Sequence, residues 1–276
     1  MGSLPFMATV AGVIEALEQR YPTSLAASWD SVGLVCGDPA ASVQRILLAV
    51  DPVIEVVDEA LLLQADLVIT HHPLFLSGVH SVAANEPRGR VVHDLVSHGI
   101  ALYCAHTNAD HAAPGVSDAL AAALGLIDLR PLVPDAPGSM TGIGRVGTLP
   151  QPAPLLVLAD HLAAALPSTH HGVRVAGDPN AVVSTVAVCG GSGADLLDAA
   201  ALEADAFITS DLKHHRTQDH LEAGGCPVLD IAHWAGEWLW LPVLAEELRA
   251  DLGATVEVHV SRVCTDPWTA HVRSPR

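Results

Sequence analysis

Short apolar segments alternate along the chain with longer amphipathic ones, and this pattern predicts alternating strands and helices. The segment that starts at Val10 has apolar residues at helical spacing, and Thr9 is positioned to cap it. Strand-like apolar runs in the first half lie at 45–50, 66–70 and 100–105. Regular alternation of strands and helices predicts an α/β fold in which mostly parallel sheets are flanked by helices.

The pattern weakens in the middle of the chain and then resumes. The sequence predicts a loop at 107–117. Residues 128–180 contain many prolines and glycines, which predicts less regular secondary structure there. The elements predicted after that region are strands at 185–189, 206–209 and 227–232, one helix over 234–250, and an edge or closing strand over 255–261.

The second half of the chain repeats motifs of the first half in the same order. The matched pairs are Gly37-Asp38-Pro39 with Gly177-Asp178-Pro179, Ala65-Asp66 with Ala204-Asp205, Ile69-Thr70 with Ile208-Thr209, and Ala105-His106 with Ala232-His233. The alternative is chance similarity between two alanine-rich segments. The ordered matches favour two related lobes, and we expect residues 1–127 plus 237–276 to form the first and 128–236 the second.

Charge and hydropathy narrow the range of functions. The chain has 31 acidic and 13 basic residues, a formal net charge of −18. Such a charge repels phosphate backbones and argues against broad electrostatic binding of nucleic acid. No apolar run reaches the roughly 18–20 residues that a membrane span needs, so we expect no membrane segment.

The N-terminal sequence and the cysteines predict a cytoplasmic location. The start of the chain lacks the basic region and the long apolar region of a secretory signal. The five cysteines are widely spaced, without a C-x-x-C motif, which is typical of reduced thiols rather than disulfides or a zinc knuckle.

Polar side chains follow the predicted strands at the points where ligands bind in open parallel sheets. These groups are Asp51, His71-His72, His106 with Asp110, Gly190–Gly193, Ser210-Asp211, and His233 with Glu237. The adjacent imidazoles of His71 and His72, followed by Pro73, are the most informative pair. The alternative for this pair is a solvated turn.

Imidazole and carboxylate donors in this pattern predict a centre with two divalent metal ions. His233 and Glu237 lie four residues apart, so a helix starting at Trp234 would put them one turn apart on the same face. The simplest assignment gives one metal the side chains of His71, Asp110 and Glu237, and the other those of His72, His233 and Glu237. Mixed sites of this kind suit Zn, Mn, Fe, Co or Ni, and each ion would keep open positions for water or substrate.

Three further groups have two interpretations each. His106 and Asp211 are candidate catalytic residues that orient ligands or transfer protons, and Lys213-His214-His215 are candidates to neutralise an anionic substrate. A polar rim is the alternative for all of these. The Gly190–Gly193 run predicts either a phosphate cradle or a tight turn without a ligand.

Taken together, these motifs resemble the Nif-three-like dinuclear metal-centre family, also called the GTP cyclohydrolase 1 type 2 family. The matching segments, which cover nearly the whole chain, are 28–34, 69–74, 105–110, 144–147, 188–193, 208–213 and 265–268. By this resemblance His71, His72, Asp110, His233 and Glu237 are the metal ligands. The resemblance also implies two interlocked lobes, a hexameric ring, and the form of the family without an inserted middle domain.

Two functions of different classes are compatible with this pattern. The first is a two-metal hydrolase of a nucleotide-like or phosphorylated small molecule, and the family label suggests opening of the guanine ring of GTP. The second is a non-enzymatic protein that stores or senses metals, or a regulatory interaction protein that needs metals for its structure. The sequence leaves the substrate, the native metals and the pathway open.

Overall fold

The computed structural model describes residues 8–272, and these form a mixed α/β fold. The strands are β1 (Ala8–Thr9), β2 (Gly33–Cys36), β3 (Ser42–Val43), β4 (Arg45–Ala49), β5 (Leu67–Thr70), β6 (Ala101–Cys104), β7 (Ile127–Pro134), β8 (Gly142–Pro154), β9 (Val173–Ala176), β10 (Val182–Ser192), β11 (Ala206–Ser210), β12 (Val228–Ile231) and β13 (Glu257–Val260). The α-helices are α1 (Val10–Arg20), α2 (Ile54–Leu63), α3 (Pro87–Ser97), α4 (Thr107–His111), α5 (Val116–Ala123), α6 (Leu155–Ala165), α7 (Leu197–Glu203), α8 (His214–Glu222), α9 (His233–Trp238) and α10 (Trp240–Leu252).

The described chain divides into two compact units. Unit 1 comprises residues 8–109 and Leu241–Thr265, and unit 2 comprises Asp110–Trp240 and residues 266–272. Helix α5, which the sequence-based boundaries assign to the first lobe, lies in unit 2. Residues 1–7, where the sequence predicts no secretory signal, lie outside the described part of the chain.

Unit 1 contains a five-stranded sheet in the order β13-β4-β5-β6-β2. The first four strands are parallel, and β2 runs antiparallel to β6 at the edge. Strand β13 confirms the edge or closing strand predicted over 255–261 and lies at the edge of the sheet. The side chains of α2 and α3 pack on one face of the sheet around Leu47, Val68 and Leu102.

Unit 2 contains a six-stranded sheet in the order β7-β8-β10-β11-β12-β9. Strands β10, β11 and β12 are parallel, whereas β7, β8 and β9 pair antiparallel with their neighbours. Alternate residues of β10 point to opposite faces, so that Val186 packs toward α5 and α6 while Ala187 packs toward α7. Both faces of this sheet are therefore covered.

The repeat predicted from the sequence is present in the local structure of both units. The Oδ2 atom of Asp66 accepts the backbone N–H groups of Gln44 and Arg45, and the Oδ2 atom of Asp205 accepts those of Ser184 and Thr185. Asp66 thus ties the start of β5 to the start of β4, and Asp205 ties the start of β11 to β10 just before their parallel pairing begins at Val186.

Three local predictions differ from the structure. The predicted loop at 107–117 contains the short helix α4, and the predicted helix at 234–250 is divided into α9 and α10. The region 128–180 is more regular than expected, because β7 and β8 form a long antiparallel pair there. The predicted cap of α1 is confirmed, since Thr9 Oγ1 accepts the N–H of Gly12 over 3.2 Å. Among the described residues, every helix is too short or too polar to cross a bilayer.

Candidate metal centre

The two adjacent histidines extend the edge of the unit 1 sheet where β5 ends. The N–H of His71 donates to the carbonyl of Ala49 over 3.2 Å, and that of His72 donates to the carbonyl of Val50 over 2.8 Å. Their backbone therefore continues alongside β4 beyond the strand. The two ring centroids are 5.2 Å apart, so the rings lie side by side rather than on opposite faces of the sheet.

His106 follows the neighbouring strand β6 and completes a group of three imidazoles in unit 1. Its ring centroid is 5.2 Å from that of His71 and 5.6 Å from that of His72. One ring nitrogen of each histidine lies within 4.8 Å of one ring nitrogen of the other two. His71 is fully buried, whereas the other two rings are half-buried. These three residues could hold a metal ion.

The Nδ1 atoms of all three histidines face hydrogen-bond acceptors. His71 Nδ1 lies 3.0 Å from the carbonyl oxygen of Ala105, His72 Nδ1 lies 2.7 Å from Asp51 Oδ1, and His106 Nδ1 lies 3.0 Å from Asp30 Oδ1. Because a carbonyl or a carboxylate only accepts, Nδ1 holds the hydrogen in each ring. In a neutral ring the unprotonated Nε2 is then the nitrogen that can bind a metal ion. Hydrogen bonds from Nδ1 of this kind orient metal-binding histidines.

Further hydrogen bonds hold the carboxylates of Asp30 and Asp51 in place. Asp30 Oδ2 accepts the backbone N–H of Thr107 over 3.0 Å and also the Thr107 hydroxyl. Burial raises the pKa of Asp30, but the hydrogen bonds from Thr107 and His106 outweigh it and leave the pKa below its usual value. The Thr265 hydroxyl donates to Oδ2 of Asp51.

In unit 2 the predicted i, i+4 pair of His233 and Glu237 forms a contact. His233 is the first residue of α9, and its Nε2 lies 2.8 Å from Oε1 of Glu237, whose side chain is 3% exposed. The other ring nitrogen, Nδ1, lies 2.6 Å from Oδ2 of Asp211. The hydrogen bond with His233 is the main reason that the pKa of Asp211 lies below its usual value.

Gly191 leaves space for these donor atoms. A Cβ atom at this position would lie 2.5 Å from Glu237 Oε1 and 3.3 Å from His233 Nε2. The backbone φ of Gly191 is +74°, and the Thr209 hydroxyl donates to its carbonyl over 3.0 Å. The sequence left a phosphate cradle or a tight turn open for this glycine run, and it gave no sign of this packing requirement.

Asp110, the other predicted carboxylate ligand of unit 2, interacts electrostatically with the buried thiol of Cys189. Burial raises the pKa of Cys189, and the negative charges of Asp110 and Glu237 raise it further, whereas Arg145 lowers it. Asp110 and Glu237 thus lie within electrostatic reach of the same thiol. Asp110 is itself buried, at 9% exposure.

Arg145 fixes the backbone next to Asp110. Its guanidinium, 2% exposed, donates to the carbonyls of Gly142 and Gly144 over 2.7 Å each and to the carbonyl of Ala112. It also lies 2.9 Å from the carboxylate of Asp118. A buried guanidinium satisfied in this way holds the segment that follows Asp110 in one conformation.

The remaining predicted residues lie on exposed parts of unit 2. Lys213 precedes α8, and His214 and His215 begin it with their ring centroids 5.0 Å apart. Their role toward an anionic substrate stays a prediction. The sequence pattern did not indicate the contacts of Asp30 with His106 and of Thr265 with Asp51, although both residues lie in segments that carry the family resemblance.

Comparison with known proteins agrees with that resemblance. The family model described as Duf34/NIF3 (NGG1p interacting factor 3) matches residues 8–267. The chain belongs to the DUF34/NIF3 family. A DUF34/NIF3 relative from Streptomyces coelicolor, called a GTP cyclohydrolase 1 type 2 homolog, is 52% identical over 274 residues, which is 97% of this chain and 96% of the relative.

Two further comparisons describe the extent of the match. A relative of the same name from Mycobacterium tuberculosis is 37% identical over 368 positions, covering 94% of this chain and 96% of the relative. Because this DUF34/NIF3 chain has 276 residues, the relative contains additional sequence. The crystal structure of the Staphylococcus aureus protein SA1388 has a TM-score of 0.86 and 27% identity, covering 96% of this chain and 99% of the other.

Proposed function

We propose that this protein is a metal-dependent hydrolase of a phosphorylated or nucleotide-like small molecule. In this proposal two divalent ions are held by His71, His72, Asp110, His233 and Glu237. The observation that supports it best is the group of three imidazoles in unit 1, whose Nδ1 atoms all face acceptors. That pattern is typical of histidines that bind a metal through Nε2.

The side-chain atoms that could bind a metal in each unit are of the types that divalent transition metals use. Imidazole nitrogens and carboxylate oxygens are the ligands that zinc, manganese, iron, cobalt and nickel use in proteins. The space left at Gly191 beside Glu237 Oε1 and His233 Nε2 allows these donor atoms to lie together. A bound divalent ion at such a site polarises a phosphoryl or carbonyl oxygen and makes water more acidic.

The chain's own residues would orient the donors and move protons. Asp30, Asp51 and Asp211 each accept a hydrogen bond from the Nδ1 of one histidine and so fix its ring. We propose that His106 and Asp211 act in proton transfer, since the His106 ring lies beside those of His71 and His72, and the exposed Asp211 carboxylate contacts His233.

The test begins with protein purified without chelator. Its metal content is measured by mass spectrometry, and hydrolysis of GTP, bis(4-nitrophenyl) phosphate and 4-nitrophenyl phosphate is assayed with added Mn²⁺ or Zn²⁺. We expect about two metals per chain and turnover of at least one substrate, with Glu237→Gln reducing the rate by about a hundredfold or more. The matched control is Glu222→Gln, an exposed glutamate at the end of α8.

The same experiment separates the hydrolase from a metal-storing or metal-sensing protein. Absence of turnover with every substrate and both metals would refute the hydrolase, as would equal rates for Glu237→Gln and the wild type. Bound metal without turnover would favour storage or sensing, which the net charge of −18 also suits.

We also propose the hexameric ring that the family resemblance implies. Six chains of 28.7 kDa would give about 172 kDa. Light scattering coupled to size-exclusion chromatography measures this mass directly, and a monomer or dimer mass would contradict the proposal.

A further inference from the structure

Unit 1 contains a cavity that borders two of the three clustered histidines. Its volume is about 690 Å³, and its lining includes His72 and His106. This volume lies within the range of roughly 300–1,000 Å³ that is usual for small-molecule sites. The cavity therefore extends the candidate metal centre into a space large enough for an organic molecule.

The walls of this cavity are mainly apolar. They comprise three prolines, Pro52, Pro73 and Pro87, and five aliphatic side chains, one of which is Leu76. Proline has no backbone N–H to donate, and aliphatic side chains neither donate nor accept. A guanine base, whose edge consists of donors and acceptors, would find few partners along these walls.

The lining contains two arginines and two carboxylates, together with the His72 and His106 side chains of the candidate metal centre. Arg90 is bound to Asp94, with Nε 2.6 Å from Oδ2, whereas Arg88 forms no ion pair among residues 8–272. Of the two acidic residues in the lining, Asp51 is engaged by His72 and Thr265. Glu55, in the first turn of α2, is exposed like Arg88 and likewise forms no ion pair among residues 8–272. Two arginines in one cavity are notable in a chain with 13 basic and 31 acidic residues.

We propose that this cavity binds the apolar organic part of a phosphorylated substrate, with Arg88 attracting its negative charge. This inference rests on the proposed function and narrows its substrate class to phosphate esters of an aromatic or aliphatic alcohol. The apolar walls would then stabilise the organic group by removing its surface from water.

The test measures binding rather than turnover. The probes are 1-naphthylmethylphosphonate, which resists hydrolysis, and methylphosphonate, which has the same anionic group without the apolar body. With metal-loaded protein and isothermal titration calorimetry, we expect the naphthyl compound to bind at least about tenfold more tightly.

Two pairs of variants assign the binding to this cavity. Leu76→Asp places a charge in the wall at a residue that is 51% exposed, and Leu62→Asp is its control on α2 outside the lining. We expect Leu76→Asp to weaken binding of the naphthyl compound about tenfold or more, and Leu62→Asp to leave it unchanged. Arg88→Gln is expected to weaken both probes severalfold, whereas the exposed Arg262→Gln leaves both unchanged.

The outcomes distinguish this inference from the proposed function. Equal affinity for the two phosphonates, or equal effects of Leu76→Asp and Leu62→Asp, would overturn the cavity assignment even if phosphate esters are hydrolysed. Tight binding that depends on Leu76, in a protein that hydrolyses no substrate, would support the cavity assignment while refuting the hydrolase.

Discussion

Asp51 and His72 each lie two residues beyond the end of one of two neighbouring parallel strands, and their side chains meet, with Oδ1 of Asp51 2.7 Å from Nδ1 of His72. The register of β4 and β5, in which Ala49 lies opposite Thr70, puts the two residues at the same edge of the sheet. A partner of this kind orients the ring and makes it a better metal ligand. The contact therefore links the strand register of unit 1 to the proposed metal binding by His72.

Asp51→Ala should weaken metal binding without unfolding the protein. Loss of an outer hydrogen-bond partner of a metal-binding histidine typically lowers affinity by roughly 10- to 100-fold. Competition with a chromophoric chelator measures the affinity, and Asp219→Ala, on exposed α8, serves as the control. Equal affinities for the two variants would show that the Asp51–His72 contact does not support metal binding.

Those features of the site that depend on strand order were predictable from the sequence. Short apolar runs end abruptly at His71 and His106, and residues that follow parallel strands meet at one edge of a sheet. The hydrogen bond from His106 to Asp30 was not predictable, because it joins residues 76 positions apart without a local pattern. The space requirement at Gly191 likewise depends on a distant side chain, that of Glu237.

The antiparallel part of unit 2 was missed for a different reason. Prolines usually interrupt strands because they lack the N–H that a ladder needs. The pairing of β8 with β7 ends at Thr148, which lies opposite Ile127. Pro150 and Pro152 lie beyond this point, so their missing N–H groups do not interrupt the hydrogen bonds between β8 and β7. The proline-rich composition therefore concealed a regular strand.

The pair of Arg90 and Asp94 on α3 predicts a pH-dependent contribution to stability. The hydrogen bond from Arg90 lowers the pKa of Asp94 more than burial raises it, so the folded-state pKa lies below the value of about 3.9 in an unfolded chain. The stabilisation is therefore fully present above that value and is lost as the pH falls through the folded-state pKa.

Asp94→Asn should accordingly lower the Tm at pH 7, and the difference from the wild type should shrink as the pH falls below about 4. Thermal melts followed by circular dichroism at several pH values test this. Asp195→Asn, at an exposed turn before α7, controls for the change in net charge. A Tm difference that stays constant between pH 7 and pH 3 would contradict the assignment.

The cysteines should differ strongly in reactivity. Cys264 is exposed, whereas burial raises the pKa of the Cys36, Cys104 and Cys189 thiols and that of Cys226 to about 11. At pH 8 only about one in a thousand Cys226 thiols would be ionised, and the thiolate is the reactive form. We expect one fast-reacting thiol per native chain with 5,5′-dithiobis(2-nitrobenzoate), lost in Cys264→Ser, and five in denaturant. Several fast thiols in the native protein would show that the buried cysteines are accessible.

Gly191→Ala should reduce metal binding in addition to lowering stability through backbone strain. Alanine at φ +74° is strained by roughly 1 kcal/mol, and its Cβ would also lie 2.5 Å from Glu237 Oε1. Gly172→Ala is a matched control in the same unit, since its φ is +65° and no atom lies within 4 Å of the added Cβ. Both variants should lose a similar amount of stability from strain. Only Gly191→Ala should also displace the Glu237 carboxylate, because that side chain is buried and has little room to move.

Metal stoichiometry and Tm, measured on both variants, separate the two effects. If both variants retained full metal content, the role of Gly191 in admitting the donor atoms would be wrong.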